Sequence, residues 1–271
     1  MSGDYGVIEG ALADTAILAT YARTHCWVPG VNAAIDAYFE GHDGGTYIDI
    51  GANIGLTTIP IACRAGVACK AFEPEPQTFQ HLAANLSQNC PAANIEMFNF
   101  ALSDRRGTIA FELSDDNLGD HRIRLNAANG SFGEASRRVI EVPTARLDDV
   151  LRVEELSRPI AIRLSTQGAE CRVLDGGQAT FDAASLFTFE FWPYGIARMG
   201  DDARRLIAFI ARRYSSGAVL DGKQDDHPTW KPIGDVVERL ENFVSCDGDQ
   251  PYALCDVIAR AATVSGTIAS S

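Results

Sequence analysis

The chain has 271 residues, with Lys+Arg 23 against Asp+Glu 36, which gives a formal net charge of −13. Hydrophobic residues make up 46% and charged residues 22%, a globular composition with enough apolar material for a sizeable core, which excludes a disordered or collagen-like chain. An acidic chain with scattered basic residues offers no electrostatic footprint for a phosphate backbone or an anionic lipid surface, so neither nucleic acid nor membrane is an expected partner.

The first ten residues, MSGDYGVIEG, place acids where a signal peptide needs basic residues. No apolar run approaches the roughly 20 residues of a membrane span, and a soluble, cytoplasmic protein is expected. Seven cysteines at irregular spacing, with no C-x-x-C pair and no histidine at ligand spacing, predict reduced, mostly buried thiols and no metal site. Residues 1–45 read as an N-terminal helical extension, with helices over Ala11 to Ala22 and Val31 to Phe39, ahead of one domain spanning 46–271. Thr46 to Ile50 reads as a strand, Gly51 as a turn and Leu56 to Cys63 as a helix; Val67 to Phe72, Glu73 to Pro76 and Gln77 to Gln88 repeat that order. Such alternation implies a parallel sheet covered by helices.

Ile95 to Phe100 reads as a third strand, joined through Ser103 to Gly107 to Thr108 to Leu113 as a hairpin. The polar, glycine-containing stretch Ser114 to Ser136 is long enough to be a functional loop or mobile lid rather than a plain connector. Alternation resumes with Ile160 to Ser165, Ala169 to Leu174 and Leu186 to Phe191. The helix Asp201 to Tyr214 and a last strand over Tyr252 to Ala259 follow. The fold class expected is α/β with an inserted hairpin and loop.

The strongest chemical signal is Asp49-Ile50-Gly51-Ala52-Asn53-Ile54-Gly55 at a strand-to-helix junction, where glycines let the backbone turn sharply near a ligand and a helix N-terminus offers free N–H groups. Its Gly-x-x-x-Gly spacing lacks the three-glycine pattern that seats a pyrophosphate, and no Gly-Lys-Ser/Thr follows. An NAD-dependent oxidoreductase is therefore disfavoured. Glu73, 73 − 51 = 22 residues further on at the end of the next strand, suits a ribose diol. A nucleoside ligand without pyrophosphate is implied.

At these residues the sequence resembles the class I S-adenosylmethionine-dependent methyltransferases, and more narrowly the FkbM family, through YIDIGANIGLTT, AFEPEP, NFALSDRRG, TARLDDVL, IRLSTQGAECRVL and FTFEFWP. The resemblance implies a Rossmann-like sheet of seven mostly parallel strands with helices on both faces. It also implies bound S-adenosylmethionine and O-methylation of a sugar or secondary-metabolite hydroxyl. Asp49, Gly51, Asn53 and Gly55 would hold the methionine end, Glu73 the ribose and Ala101-Leu102 the adenine, with Ala52, Pro74, Ser165 and Thr166 completing the cofactor-facing set. The family's Lys-x-Asp-x-Glu-Gly-x-Glu pattern stands here as Arg163-Leu164-Ser165-Thr166-Gln167-Gly168-Ala169-Glu170, so Ser165 replaces an aspartate. That replacement raises the alternative of a non-catalytic binding module.

Three residues are candidates for proton transfer. Glu190 sits among Phe189, Phe191 and Trp192, either as a structurally paired carboxylate or as a base. His121 follows Asp120, which could orient its ring, or it is a solvated loop residue. Glu170 remains from the family motif. Trp192-Pro193-Tyr194 reads as core closure, and His25, His42, His81 and His227 as surface or packing residues. The acceptor is a small molecule; its identity and the oligomeric state are left open.

Overall fold

The computed structural model describes residues 1–126, 128, 130–247 and 250–262. Positions 127 and 129 of the Ser114 to Ser136 stretch, 248 and 249, and 263–271 lie outside the described residues.

The chain opens on the antiparallel pair β1 (Ser2–Gly3) and β2 (Gly6–Val7). Helix α1 (Ile17–Thr24) starts later than the sequence predicts. The Asp14 carboxylate accepts the N–H groups of Ala16, Ile17 and Leu18 at 3.0, 3.1 and 3.0 Å and so fixes the first turn beyond itself. Helix α2 (Pro29–Glu40) begins on a proline, suited to the first helical turn. Then come β3 (Gly45–Ile50), α3 (Ile59–Ala62), β4 (Val67–Phe72), α4 (Pro76–Asn89) and β5 (Asn94–Phe98), with Glu75 capping α4 through the Thr78 N–H at 2.6 Å.

The segment after β5 departs from the expected hairpin. Strand β5 pairs in parallel with β4 at the edge of the large sheet. By contrast, β6 (Ala101–Leu102), β7 (Gly107–Leu113), β8 (Arg122–Ile123) and β9 (Arg138–Ala145) form a separate four-stranded sheet in the order β6-β9-β7-β8. Strand β7 lies antiparallel between β8 and β9, facing β9 from Gly107 opposite Thr144 to Leu113 opposite Arg138. Adjacency in sequence suggests the nearer pairing. Ile50 and Phe72 are already aligned with Phe98 across the parallel sheet, and that placement takes β5 away from β7.

The rest of the chain supplies α5 (Leu147–Val150), β10 (Ile160–Leu164), α6 (Glu170–Gly176), α7 (Gln178–Ala183), β11 (Leu186–Phe191), α8 (Pro193–Arg198), α9 (Arg204–Arg213), β12 (Ser216–Leu220), β13 (Lys231–Pro232), α10 (Ile233–Asp247) and β14 (Cys255–Arg260). The large sheet runs β13-β12-β14-β11-β10-β3-β4-β5: seven strands of five or six residues plus the two-residue edge β13. It is parallel from β5 to β11, while β14 is antiparallel to both β11 and β12. Alternate residues feed two cores on opposite faces, as a two-residue period requires. Ile48, Ile162, Phe187 and Val257 face α6, α7, α9 and α10, whereas Tyr47, Ala161, Leu186 and Ile258 face the N-terminal helices, α3 and α4. Tyr21, Val31, Ile35 and Phe39 of α1 and α2 are buried in that second core.

The expectation of reduced thiols throughout is corrected at one pair. Cys63 caps the C-terminus of α3 and Cys90 that of α4, and the successive strand–helix units bring them within a Cα–Cα distance of 5.3 Å as a disulfide. They are 27 residues apart in sequence, which conceals the proximity. Cys69, Cys171 and Cys255 are free and buried, as expected. Among the described residues no helix is long and apolar enough to cross a membrane.

Candidate active site

Open parallel sheets take ligands beyond the carboxyl ends of their strands, and a cavity lies there, lined from β3, β4, β10 and β11. Its floor is the turn after β3. Gly51 has φ +86°, and a Cβ on it would lie 2.0 Å from the Ser165 carbonyl oxygen, so the crossing of this turn over the end of β10 requires glycine. The Gly51 and Ala52 N–H groups both donate to the Phe72 carbonyl at 3.0 Å. Asn53, also at positive φ, donates through its side chain to the Leu118 carbonyl at 3.2 Å and ties the turn to the inserted segment.

Asp49 lies beneath this turn. Its Oδ2 accepts the hydroxyls of Thr57 and Thr58, each at 2.7 Å, and burial raises its carboxyl above the ordinary range against the opposing Thr58 hydrogen bond and Arg163 charge. Gly55 opens the helical turn that follows, its carbonyl accepting from Thr58 and Ile59. Neither residue lines the cavity; both shape the turn that does. Gly51, Ala52, Asn53, Glu73, Pro74, Ala101, Leu102, Ser165 and Thr166 line it directly.

Glu73 is 5% exposed, and its two oxygens accept the N–H groups of Asn53 at 3.0 Å and Glu75 at 2.9 Å. Burial pushes its carboxyl up to about 8, against those two hydrogen bonds and with help from the nearby Glu75 and Asp49 charges. Beside it Phe72, Phe100 and Leu102 give an apolar wall, with Phe72 stacked on Phe98 at 4.5 Å between ring centroids. A carboxylate with free lone pairs beside a flat apolar wall suits a ribose and its base. Hydroxyls of Ser165 and Thr166 on the other side suit a polar tail, and this donor set fits an adenosyl ligand with an amino-acid arm.

The three candidates for proton transfer separate. His121 lines the cavity, but its Nδ1 accepts the Ser114 N–H at 3.0 Å, which leaves the neutral ring a donor at Nε2. Asp120 does not orient it; that carboxylate pairs with Arg122 and Arg137. Burial lowers the His121 pKa to about 4. The base role expected of His121 is thereby corrected to that of a neutral donor. Glu170 is absent from the cavity lining. Its oxygens accept the Thr166 N–H and hydroxyl at 2.9 and 3.0 Å and the Gly168 N–H at 3.0 Å, so it folds the loop instead of touching a ligand; burial raises it to about 7. Glu190 does line the cavity, accepting the Gln167 amide at 2.7 Å and the Lys223 ammonium.

Neither Lys223 nor Asp256 stands out in the sequence, although Glu190 does. Lys223 also donates to Asp256 at 3.0 Å, and Asp256 meets Arg163 at 3.4 Å, a set of two cations and two anions beside β10, β11 and β14 in which only Lys223 is partly exposed. Burial depresses the Lys223 ammonium less than Asp256 and Glu190 raise it, and it stays charged. Trp192, as expected, is buried, donating through its indole N–H to the Pro251 carbonyl at 2.8 Å.

The Ser114 to Ser136 stretch contributes Asn117, Leu118, Gly119, His121 and Ile123 to the cavity. It is anchored by Arg122, which donates to Glu112, Asp120 and Glu134 at 2.8, 2.7 and 3.0 Å in a buried cluster that Arg137 joins through Asp120.

The sequence pattern of the Methyltransferase FkbM domain matches residues 49–215, more than half of the chain. The chain belongs to this family. It is an S-adenosylmethionine-dependent methyltransferase. Hexuronic acid methyltransferase AglP of Haloferax volcanii is 29% identical over 191 residues, covering 69% of this chain and 74% of that protein. 2-O-methyltransferase NoeI of Sinorhizobium fredii is 28% identical over 158 residues, covering 53% of this chain and 62% of that protein. Among solved structures, precorrin-6y C5,15-methyltransferase of Geobacter metallireducens superposes with a TM-score of 0.43 at 10% identity, over 86% of this chain and 88% of that one.

Proposed function

We propose that this methyltransferase alkylates a hydroxyl group of a sugar and that Glu190 accepts the proton. The observation that carries the reading is the continuity of one cavity from Glu73 and the Gly51 turn, which suit the cofactor, to Glu190, Gln167 and Lys223 at the end of β11, where a second molecule can meet it. Two relatives whose names specify a hexuronic acid and a 2-O position support a sugar hydroxyl as the acceptor.

Bound S-adenosylmethionine supplies an electrophilic methyl group. The chain's contribution is positional. The Gly51 turn and Glu73 fix one reactant, the end of β11 fixes the other, and holding both in line is worth on the order of 7–11 kcal/mol. With His121 a donor and Glu170 turned into its own loop, Glu190 is left to take the proton that the acceptor oxygen releases. Gln167 and Lys223 hold its carboxylate in place. Ser165 contributes a hydroxyl where the family pattern has an aspartate, so the proton-accepting group lies one strand away, on β11.

The test is turnover to S-adenosylhomocysteine with a panel of glycosides, comparing the unmodified protein with Glu190→Gln. The expected loss is about 10²–10⁴-fold in rate with S-adenosylhomocysteine affinity retained. Full activity of Glu190→Gln would remove the base assignment. Cofactor binding with no turnover on any glycoside would favour a non-catalytic binding module.

A further inference from the structure

The cavity also draws on segments outside the stretch that matches the family pattern. That stretch spans residues 49–215 and supplies Gln167 and Glu190, yet Trp27 comes before it and Lys223 after it, and both line the cavity. The two segments are held side by side. Gly30 donates its N–H to the Asp225 carbonyl at 2.9 Å, and a Cβ on Gly30 would sit 2.4 Å from that oxygen, so only glycine permits the approach. Next to Trp27, Cys26 donates through its thiol to Gln224, the neighbour of Lys223, at 3.4 Å.

Trp27, with a half-buried indole that packs against the second core and lines the cavity, is fixed at its main chain. Its carbonyl accepts both the Tyr5 hydroxyl and the Asn32 side-chain amide at 3.0 Å. The residue after it, Val28, adopts φ +40°, a conformation a β-branched residue rarely takes and one that concentrates where surrounding structure fixes a functional group. Lys223, for its part, has three N–H donors, of which Glu190 and Asp256 take two.

We infer that Trp27 is the platform on which a pyranose ring of the acceptor stacks and that Lys223 donates its third N–H to an oxygen of that ring. One side of a pyranose presents C–H groups, which suit the negative face of an indole, while its edge presents oxygens. Acceptor selectivity then draws on the two flanking segments as well as on Gln167 and Glu190. This inference rests on the sugar O-methylation reading.

The experiment measures binding of methyl glucoside and methyl glucuronoside to the full chain saturated with S-adenosylhomocysteine, for the unmodified protein, Trp27→Phe, Trp27→Leu and Lys223→Gln. Affinity for S-adenosylhomocysteine is measured in each variant as the check on folding. At least one glycoside is expected to bind and to shift the indole fluorescence, a shift absent in Trp27→Phe, which still binds. Trp27→Leu and Lys223→Gln should weaken glycoside binding about tenfold or more with S-adenosylhomocysteine affinity retained. Glycoside binding with equal affinity in Trp27→Leu would overturn the inference alone. Binding of S-adenosylhomocysteine with no glycoside bound by the loaded, unmodified protein would instead overturn the sugar-acceptor reading, and this inference with it.

Discussion

The Ser114 main-chain N–H donates to Nδ1 of His121 at 3.0 Å, and this single contact fixes what the ring can do. A backbone N–H cannot accept, so protonating Nδ1 means breaking the bond inside a buried site.

His121 should accordingly remain neutral across the working range. With burial holding its pKa at about 4 in the folded chain, against roughly 6.5 when unfolded, the unfolded chain binds more protons between those values. The stability this histidine contributes is complete above about pH 6.5 and lost as pH falls toward 4. Proton NMR should place its titration near 4, and denaturant melts of His121→Gln should show a shallower loss over that window. A titration near 6.5 would contradict the assigned tautomer.

Glu73 is shifted in the opposite direction, and the sign reverses. Its folded carboxyl keeps a proton up to about pH 8, whereas an unfolded glutamate releases it near 4.3. The associated stability is present below about pH 4.3 and is lost as pH rises through 8. A ribose diol donates to the ionised form, so cofactor affinity should rise between pH 7 and 9 while stability falls. Calorimetry at several pH values checks this. Glu73→Gln should remove the pH dependence of binding and weaken binding by about 1–3 kcal/mol.

Much of the cofactor end was legible in the sequence because its residues are consecutive or sit at strand ends. Gly51, Asn53 and Glu73 fall where a strand–turn–helix reading puts them, and each lines the cavity. The acceptor end was legible only at Glu190. Lys223 meets Glu190 and Asp256 across 33 residues in either direction, and no periodicity connects them. The family resemblance implies that Asp49 and Glu170 face a ligand. Their lone pairs are instead spent on Thr57, Thr58, Thr166 and Gly168, bonds that depend on how the turns close. The hairpin expected after β5 failed for a similar reason, since strand order in a sheet is a tertiary property.

Arg122 should govern whether the Ser114 to Ser136 stretch stays closed. Its guanidinium satisfies three buried carboxylates, so Arg122→Ala leaves Glu112, Asp120 and Glu134 under-compensated, a loss of about 3–5 kcal/mol. Hydrogen exchange should show protection of residues around His121 falling in this variant while β3 is retained. In the unmodified protein this segment should exchange more slowly than a free polar loop, and exchange as fast as the termini would contradict the anchoring.

Ser165 lies where the family pattern has an aspartate, and the cluster around it argues that restoring the aspartate will not help. Arg163 and Lys223 already balance Asp256 and Glu190, two cations against two anions, all buried or nearly so. A third carboxylate at position 165, beside the cavity and with no cation of its own, would pay desolvation without a matching partner. It would also compete with Glu190 for Lys223, loosening the group proposed to accept the proton. Ser165→Asp is therefore expected to lower melting stability by about 1–3 kcal/mol and to reduce methyl transfer, with the loss growing as pH rises and the new carboxyl ionises. Ser165→Asn, similar in shape but uncharged, should cost less on both counts. Thermal melts and initial rates of the two variants across pH 6–9 decide the matter. Higher activity in Ser165→Asp than in the unmodified protein would mean that proton acceptance belongs at the end of β10 and that Glu190 serves only to hold Lys223.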